Sequence, residues 1–218
     1  VPVRQATKSR SGTVEAASRL FAASESLAGS LAEVYLRSRG ISHAVPSSTL
    51  RFHPKCWHRD EGQTKPVPRP ALIAAVTDGA GALQGVHRTW LAPDGQDKAA
   101  VDTPRRAMGH LLGNAVRIAP ADQTLVLGEG IETMLSVREA APSLPVWAAL
   151  SSGHLGAVLL PVGLQRLYIA IDRDPETDRE VRIDCTGFAT GSYSIPHSVE
   201  QLKFETKAKF VLAIETGG

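Results

Sequence analysis

The chain has 218 residues, of which 43% are hydrophobic and 21% charged, so the composition predicts a globular protein of one or two domains and excludes a disordered chain. Its formal net charge is only +2, although the sequence pI is near 8.7, and net charge alone therefore indicates no nucleic-acid partner. The two cysteines, Cys56 and Cys185, lie far apart, which argues against a disulfide scaffold. The absence of a signal peptide and of an apolar run of about 18 residues predicts a cytoplasmic protein with no membrane partner.

The chain is predicted to begin with a flexible lead-in and two helices. Residues 1–12 are basic and polar, which is typical of a linker. Apolar residues at helical spacing then predict a helix that begins near Thr13. A second helix is predicted over residues 31–39, and Gly40 ends it.

Residues 50–70 are rich in proline and charge, and we expect a mobile surface loop there. His53, Cys56 and His58 have the residue types and close spacing of a partial zinc site, but a structural site needs four ligands and no partner pair is nearby. An alternative is that the basic residues of this stretch, interleaved with Trp57, grip a single strand by charge and stacking. These basic residues are Arg51, Lys55, His58, Arg59, Lys65 and Arg69.

A hairpin is predicted next, with strands over residues 71–77 and 83–91 around an Asp-Gly-Ala-Gly turn. Four cations in or after the second strand form the best candidate basic surface in the sequence. They are Arg88, Lys98, Arg105 and Arg106. Ordinary solvated charge is the alternative explanation for them.

The second half of the chain has the pattern of a parallel α/β sheet, because strand and helix patterns alternate. The predicted elements are, in order, a short strand (115–118), a strand (124–127), a helix (131–141), a strand (146–150), a turn (151–154) and a strand (167–171). In the turn, Ser152 and His154 could form a nucleophile and base pair, but no orienting acid is evident and turn chemistry explains both residues.

Carboxylates follow two of these strands. Glu129 lies between two glycines after the strand at 124–127, and Asp172 and Asp174 follow the strand at 167–171. Because residues just past the carboxyl ends of neighbouring parallel strands converge, the three carboxylates can meet in one crevice. Oxygen ligands favour Mg²⁺ over zinc, and Mn²⁺ can substitute for it. The alternatives are a helix cap or turn for Glu129 and a solvated loop for the aspartates.

The same segments resemble the two signatures of the Toprim domain, which bacterial-type DNA primases, topoisomerases and some nucleases share. They read Leu-Val-Leu-Gly-Glu-Gly-Ile-Glu-Thr at 125–133 and Ile-Ala-Ile-Asp-Arg-Asp at 169–174. The sequence of the first signature is most similar to that of Toprim primases of phages and integrated mobile elements, which are often fused to helicases. Upstream segments also resemble the region that precedes Toprim in that group, namely 32–41, 86–91 and 94–99. The resemblance covers about residues 29–174.

The tail does not continue this pattern. From about residue 179, and particularly over 194–198 and 207–218, the sequence resembles the A subunit of DNA topoisomerase VI. That resemblance implies the opening of a second Toprim domain, with Glu215 at the position of a metal-binding glutamate. Because the second domain would lack its own Asp-x-Asp, a terminal glutamate without a metal is the preferred interpretation of Glu215.

The predicted fold is α/β, a Toprim-like parallel sheet with flanking helices preceded by a smaller α+β segment. The predicted divisions are a lead-in, a primase-type α+β segment, an incomplete Toprim core and a tail of uncertain origin. Their ranges are 1–12, 13–114, 115–175 and 176–218.

The resemblance implies RNA primer synthesis on DNA by Mg²⁺-dependent nucleotidyl transfer, with Glu129, Asp172 and Asp174 as catalytic metal ligands. The four cations of the basic surface would then hold template or nucleotide. The implied partners are single-stranded DNA, nucleoside triphosphates and a replicative helicase. Two alternatives remain open: a non-catalytic module that binds DNA or a helicase, and metal-dependent strand cleavage of the topoisomerase or nuclease type.

Overall fold

The computed structural model describes residues 13–42, 45–121 and 123–171, and the backbone of the strand at 210–215. Four helices and nine strands lie in this part of the chain, and the strands form two sheets. The helices are α1 (Val14–Ala22), α2 (Leu31–Ser38), α3 (Ile131–Ala140) and α4 (Ser152–Leu155). The strands are β1 (Leu50–His58), β2 (Val67–Thr77), β3 (Leu83–Trp90), β4 (Arg105–Gly109), β5 (Val116–Arg117), β6 (Thr124–Gly128), β7 (Val146–Ala148), β8 (Arg166–Ile171) and β9 (Phe210–Glu215).

Both N-terminal helices begin after a residue whose side chain caps them. The hydroxyl of Thr13 accepts from the amide of Ala16, and that of Ser30 accepts from the amide of Glu33, so each helix has one otherwise unpaired N–H satisfied. Helix α2 ends before Gly40, whose φ of +74° is a conformation that glycine adopts without strain. The two predicted helices are therefore confirmed.

The first sheet is antiparallel in the order β1-β2-β3-β4, and its outer strands differ from the prediction. The expected loop over residues 50–70 is wrong, because β1 and the start of β2 occupy most of it. Buried Leu50 and Phe52 follow the period of a strand, but a bulge between His53 and Cys56 interrupts that period. Pro54 lies in the bulge of an edge strand, a place where the missing N–H costs little, and it makes the strand hard to recognise in the sequence.

The second sheet has the order β5-β7-β6-β8-β9. Strands β7, β6 and β8 are parallel to one another, as predicted, and helix α3 connects β6 to β7. The edge strands β5 and β9 run antiparallel to their neighbours, so the sheet is mixed. The α/β fold class with a preceding α+β segment is confirmed.

Strand β9 joins the tail of the chain to this sheet. It pairs with β8 over its whole length, from Phe210 opposite Ile171 to Glu215 opposite Arg166. The strand predicted to open a second domain thus forms the edge of the first one's sheet. The separation of residues 176–218 from the core stays a prediction, since residues 172–209 lie outside the described part.

One hydrophobic cluster spans both sheets and joins them. It contains Tyr35 and Leu36 of α2, Leu72 of β2, and Val126 and Met134 from the second half of the chain. An isolated bridge between Thr77 and Ala115 adds backbone hydrogen bonds between the halves. Among the described residues, no helix is long and apolar enough to cross a membrane.

Candidate functional site

The turn after β6 holds Glu129 at the carboxyl end of the parallel strands. The carbonyl of Gly128 accepts from the amide of Ala149 at 2.8 Å, and that of Glu129 accepts from the amide of Leu150 at 2.9 Å. A side chain at Gly128 would collide with Met134 and lie 3.0 Å from the carbonyl oxygen of Ala170, so glycine suits this close packing. The Glu129 side chain is exposed, which leaves its carboxylate able to meet a ligand.

Glu129 lines a cleft of about 400 Å³ where the β3–β4 edge of the first sheet faces the turns after β6 and β7. Its walls carry cationic, imidazole, hydroxyl and carboxylate groups together with backbone. They are His87, Arg105, Arg106, Ala107, Leu111, Glu129, Gly130, Leu150, Ser151 and His154. The volume falls in the range of sites that hold small molecules.

The N-terminus of helix α3 opens at this cleft. Its N-cap is Gly130, which supplies no side chain to bond the first N–H groups of the helix. Those groups and the helix dipole favour an anion at this end. A phosphate in the cleft would therefore meet backbone donors beside Glu129.

The register of β3 and β4 separates the predicted cations. Arg105 lies opposite Thr89, whereas Arg106 lies opposite Arg88. Directly opposed residues of an antiparallel pair lie on the same face of the sheet, so Arg106 shares a face with Arg88 and Arg105 shares a face with Thr89. Because side chains alternate along a strand, Thr89 and His87 also lie on one face. Arg105 is therefore on the face of His87, and Arg106 is on the opposite face. The four cations therefore do not lie on one continuous face of the sheet.

Arg88 packs into the protein. Its guanidinium lies 4.9 Å from the centre of the Trp90 ring and donates to the carbonyl of Ala107 at 3.5 Å. Burial lowers the pKa of Arg88, and neighbouring Arg106 lowers it further. Arg106 itself folds back and donates to the hydroxyl of Thr103 at 2.9 Å. The assignment of both arginines to nucleic-acid or nucleotide contact stays a prediction.

Lys98 belongs to a polar network that no sequence pattern predicted. The hydroxyl of Tyr35, fully buried, donates to Oε1 of Glu132 at 2.7 Å, and Nζ of Lys98 lies 3.7 Å from the same oxygen. The Lys98 and Glu132 side chains are only 23% and 17% exposed. The network ties helix α2 and the turn before Lys98 to the first turn of α3, which begins just after Glu129 and Gly130.

Opposing effects set the protonation of this network. Burial alone would raise the pKa of Glu132, but the Tyr35 hydrogen bond and the charges of Lys98 and Arg105 hold it below its usual value. Burial and the Glu132 carboxylate raise the pKa of Tyr35. Burial lowers the pKa of Lys98, and Arg105 acts in the same direction while Glu132 opposes both. Glu132 is thus a carboxylate that accepts from Tyr35 and faces two cations.

Two histidines line the cleft, His87 from strand β3 and His154 from helix α4. Within the described part of the chain, the Nδ1 atoms of His87 and His154 are buried without a hydrogen-bond partner. Burial lowers the pKa of His87 to about 4, and Arg105 acts in the same direction, so its imidazole is neutral at pH 7. No sequence pattern singled out His87, because a lone histidine in a strand is ordinary. His87 reaches the cleft only because β3 pairs with β4 in the folded sheet.

The turn after β7 is a short helix, α4. The hydroxyl of Ser151 accepts from the amide of His154 at 3.2 Å and so caps the helix. Leu150, with φ of +75°, makes the sharp turn that precedes it. Ser152 is exposed, and its hydroxyl makes no hydrogen bond to His154 among the described residues. Capping, rather than a nucleophile and base pair, accounts for this turn.

Strands β6 and β8 are neighbours, and Gly128 lies opposite Ala170. Glu129 therefore starts from the same level of the sheet at which β8 ends with Ile171. The predicted ligands Asp172 and Asp174 lie outside the described residues, as does the second cysteine, Cys185. In the described residues no three His, Cys, Asp or Glu side chains are grouped to hold a metal, and this includes the partial zinc pattern around Cys56.

Comparison with known proteins decides the family of the second half. Residues 124–212 match the family model of the Toprim domain. The chain contains a Toprim domain. The sequence-based recognition is confirmed, and Glu129 lies in the turn after the first strand of the matched segment. Residues 11–118, before the Toprim domain, match a model described as a domain of unknown function, DUF7146.

One curated relative and two solved structures are also similar to parts of the chain. The A subunit of type 2 DNA topoisomerase 6 from Methanocaldococcus jannaschii is 50% identical over 48 residues, which is 22% of this chain and 12% of that protein. The predicted partial likeness to this protein is confirmed. A structure of the DnaG catalytic core is 15% identical with a TM-score of 0.43, and the match covers 64% of this chain and 54% of that one. The DnaG primase catalytic domain bound to ssDNA has the same identity and TM-score, with coverages of 75% and 74%.

Proposed function

We propose that this chain carries out metal-dependent nucleotidyl transfer on DNA and makes RNA primers as a Toprim primase. The observation that carries the proposal is the position of Glu129 in the Toprim domain, at the rim of a cleft that also holds Arg105 and the N-terminus of α3. This combination offers a carboxylate for a cation and donors for phosphates in one space.

The implied metal is Mg²⁺, for which Mn²⁺ can substitute. Glu129, together with Asp172 and Asp174, would hold it, since a set of carboxylate oxygens suits a hard cation and Glu129 is exposed on the cleft. When bound, the ion neutralises charge that develops on phosphate oxygens during transfer. The assignment of the two aspartates rests on the sequence.

The other groups of the cleft would bind the nucleotide. The Arg105 guanidinium can pair with phosphate oxygens, and the N-terminus of α3, which has no side-chain cap, favours the same anion through the helix dipole. Lys98 faces Glu132 and would hold the first turn of α3, and with it the Glu129 turn, in place. Single-stranded DNA, nucleoside triphosphates and a replicative helicase are the proposed partners.

Calorimetric titration with Mn²⁺ tests the metal site. We expect binding by the unaltered chain and a loss of at least about tenfold in affinity in Glu129→Gln and in the double variant Asp172→Asn, Asp174→Asn, since each removes charged oxygen ligands. Glu15→Gln is the matched control, because Glu15 is an exposed carboxylate on helix α1. Mn²⁺ affinity equal in all four proteins would refute the assignment.

Primer synthesis on single-stranded DNA then tests the activity. With Mg²⁺ and nucleoside triphosphates we expect short RNA products from the unaltered chain and from Glu15→Gln, and none from Glu129→Gln. A Glu129→Gln variant that is folded and fully active would refute the catalytic role. Mn²⁺ binding without any product would favour a non-catalytic module that binds DNA or a helicase.

The partial likeness to the A subunit of topoisomerase 6 supports a second candidate, metal-dependent strand cleavage. The matched segment is 12% of that protein, so the activity of the whole protein does not transfer with it. The same metal site would serve a different nucleophile. Incubation with supercoiled plasmid and Mg²⁺ distinguishes the candidates, because cleavage would produce nicked or linear DNA in the absence of nucleotides.

A further inference from the structure

The β1–β2 hairpin presents an exposed aromatic ring that the core does not use. Trp57 is 62% exposed, whereas the other two tryptophans of the chain, Trp90 and Trp147, are 1% and 4% exposed. Its cross-strand neighbour is Pro68, and Val67 beside it is also exposed. Exposing an indole of this size has no benefit for folding, since its burial would be favourable.

Three exposed cations lie on the same hairpin as this ring. Lys55 lies two residues before Trp57 on the same strand, so the two side chains share a face about 7 Å apart. Arg59 and Lys65 lie in the exposed connection between β1 and β2. None of these three cations has a salt-bridge or hydrogen-bond partner for its side chain among the described residues. We call Lys55, Trp57, Arg59 and Lys65 the hairpin surface.

The acidic residues of the hairpin do not neutralise this surface. Oδ1 of Asp60 lies 3.6 Å from Nε2 of the buried His58, so its carboxylate faces inward. Glu61 is the other acidic residue of the connection. Three cations and one outward carboxylate leave a net positive surface around the indole.

The inner face of the same strand packs against the rest of the first sheet. The His58 ring packs edge-on against Trp90, with 4.5 Å between ring centres, and its Nε2 lies 3.2 Å from the carbonyl oxygen of Thr103. Nε1 of Trp90 donates to the carbonyl of Cys56 at 3.1 Å. The backbone on both sides of Trp57 is thereby anchored to the rest of the sheet.

The hairpin surface is separate from the cleft but lies on the same face of the sheet. Trp57 is opposite Pro68 and His87 is opposite Ala74, and positions 68 and 74 of β2 are an even number of residues apart. The interval from 68 to 74 corresponds to roughly 20 Å along the strand. A chain bound at Trp57 therefore lies on the side of the sheet to which the cleft belongs.

We infer that the hairpin surface binds single-stranded nucleic acid, with a base stacked on Trp57 and phosphates paired with Lys55, Arg59 and Lys65. An exposed indole flanked by unpaired cations suits an unstacked base and its backbone, whereas a duplex offers no free base face. The inference deepens the proposed function, from which it takes the class of partner, but it depends on no residue of the cleft.

Tryptophan fluorescence of the full chain measures this binding directly. Because Trp57 is the exposed tryptophan, we expect an oligothymidylate to quench the emission of the unaltered chain. Trp57→Ala should bind about tenfold more weakly, as followed by anisotropy of a labelled oligothymidylate, while Trp57→Phe, which keeps a stacking ring, stays within about threefold. The triple variant Lys55→Gln, Arg59→Gln, Lys65→Gln should lower the slope of log K against log salt by about 2.

Leu159→Ala is the matched control, because Leu159 is 64% exposed and lies outside the hairpin. It should leave the DNA affinity unchanged, and all variants should keep the thermal stability of the parent. Equal affinity of Trp57→Ala and the parent would overturn the inference. Unchanged DNA affinity with lost binding of a helicase would assign the surface to a protein instead.

Mn²⁺ titration separates this result from the test of the proposed function. Trp57→Ala should bind Mn²⁺ as the parent does, and Glu129→Gln should bind oligothymidylate as the parent does. Loss of DNA binding in Trp57→Ala therefore supports the hairpin surface even if the metal site fails its own test. Loss of DNA binding in Glu129→Gln with retention in Trp57→Ala would move the DNA site to the cleft and overturn the inference.

Discussion

The hydrogen bond from Tyr35 to Glu132 predicts a measurable loss of stability in Tyr35→Phe. The tyrosine is fully buried, and the distance between its hydroxyl and the carboxylate is 2.7 Å. Phenylalanine fills the same space, so the change removes one hydrogen bond to a charged group and creates no cavity. That loss costs about 1.5–3 kcal/mol in the free energy of unfolding. In a chain of this size it lowers Tm by roughly 3–12 °C.

Urea unfolding followed by circular dichroism at pH 7.5 measures this free energy. Tyr168→Phe is the matched control, since Tyr168 is partly buried and its hydroxyl has no hydrogen-bond partner in the described part of the chain. We expect its stability to stay within about 0.5 kcal/mol of the parent. Equal stability of Tyr35→Phe and the parent would refute the reasoning.

The pH dependence of the difference tests its cause. The pKa of Glu132 is held below its ordinary value, so the stabilisation is present above the unfolded pKa of about 4.3 and is lost as pH falls through the folded value. The gap between the parent and Tyr35→Phe should therefore shrink below about pH 4. A gap of constant size at low pH would mean that the acceptor is not the Glu132 carboxylate.

Three further variants test individual contacts. Gly128→Ala should destabilise the chain by about 1–3 kcal/mol, because its methyl group would overlap Met134, and the added change Met134→Ala should recover part of that loss in the same urea assay. Burial lowers the pKa of His87 to about 4, so the unfolded chain binds this proton more readily than the folded one. The unfolding free energy of the parent should therefore fall by at most about 3 kcal/mol from pH 6.5 to pH 4. His87→Gln should reduce this pH dependence. A His87→Gln profile as steep as that of the parent would contradict that origin. Ser30→Ala should lower Tm by about 2–4 °C through loss of the cap on the Glu33 amide, and Ser30→Asp should restore it.

Sequence patterns were sufficient to predict the elements whose structure depends only on residues that are neighbours in the chain. Helices α1 and α2 begin after Thr13 and Ser30, and α2 ends before Gly40, because caps and a left-handed glycine act within one helical turn. The strand, glycine turn and helix around Glu129 are equally local, and they carried the recognition of the Toprim domain. Strand β1 was missed because Pro54 and the bulge break its alternation.

The remaining features depend on pairing between distant residues. Local sequence was enough to predict that Glu129 follows a buried strand and precedes a helix, and that cations lie upstream. The register of two strands, which folding sets, places Arg105 on the face of His87 and Arg106 on that of Arg88. The pairing of β9 with β8 has the same origin. The Tyr35 and Glu132 contact joins positions 97 residues apart, and no local preference specifies such a contact, since it forms only when the two halves pack on a common core.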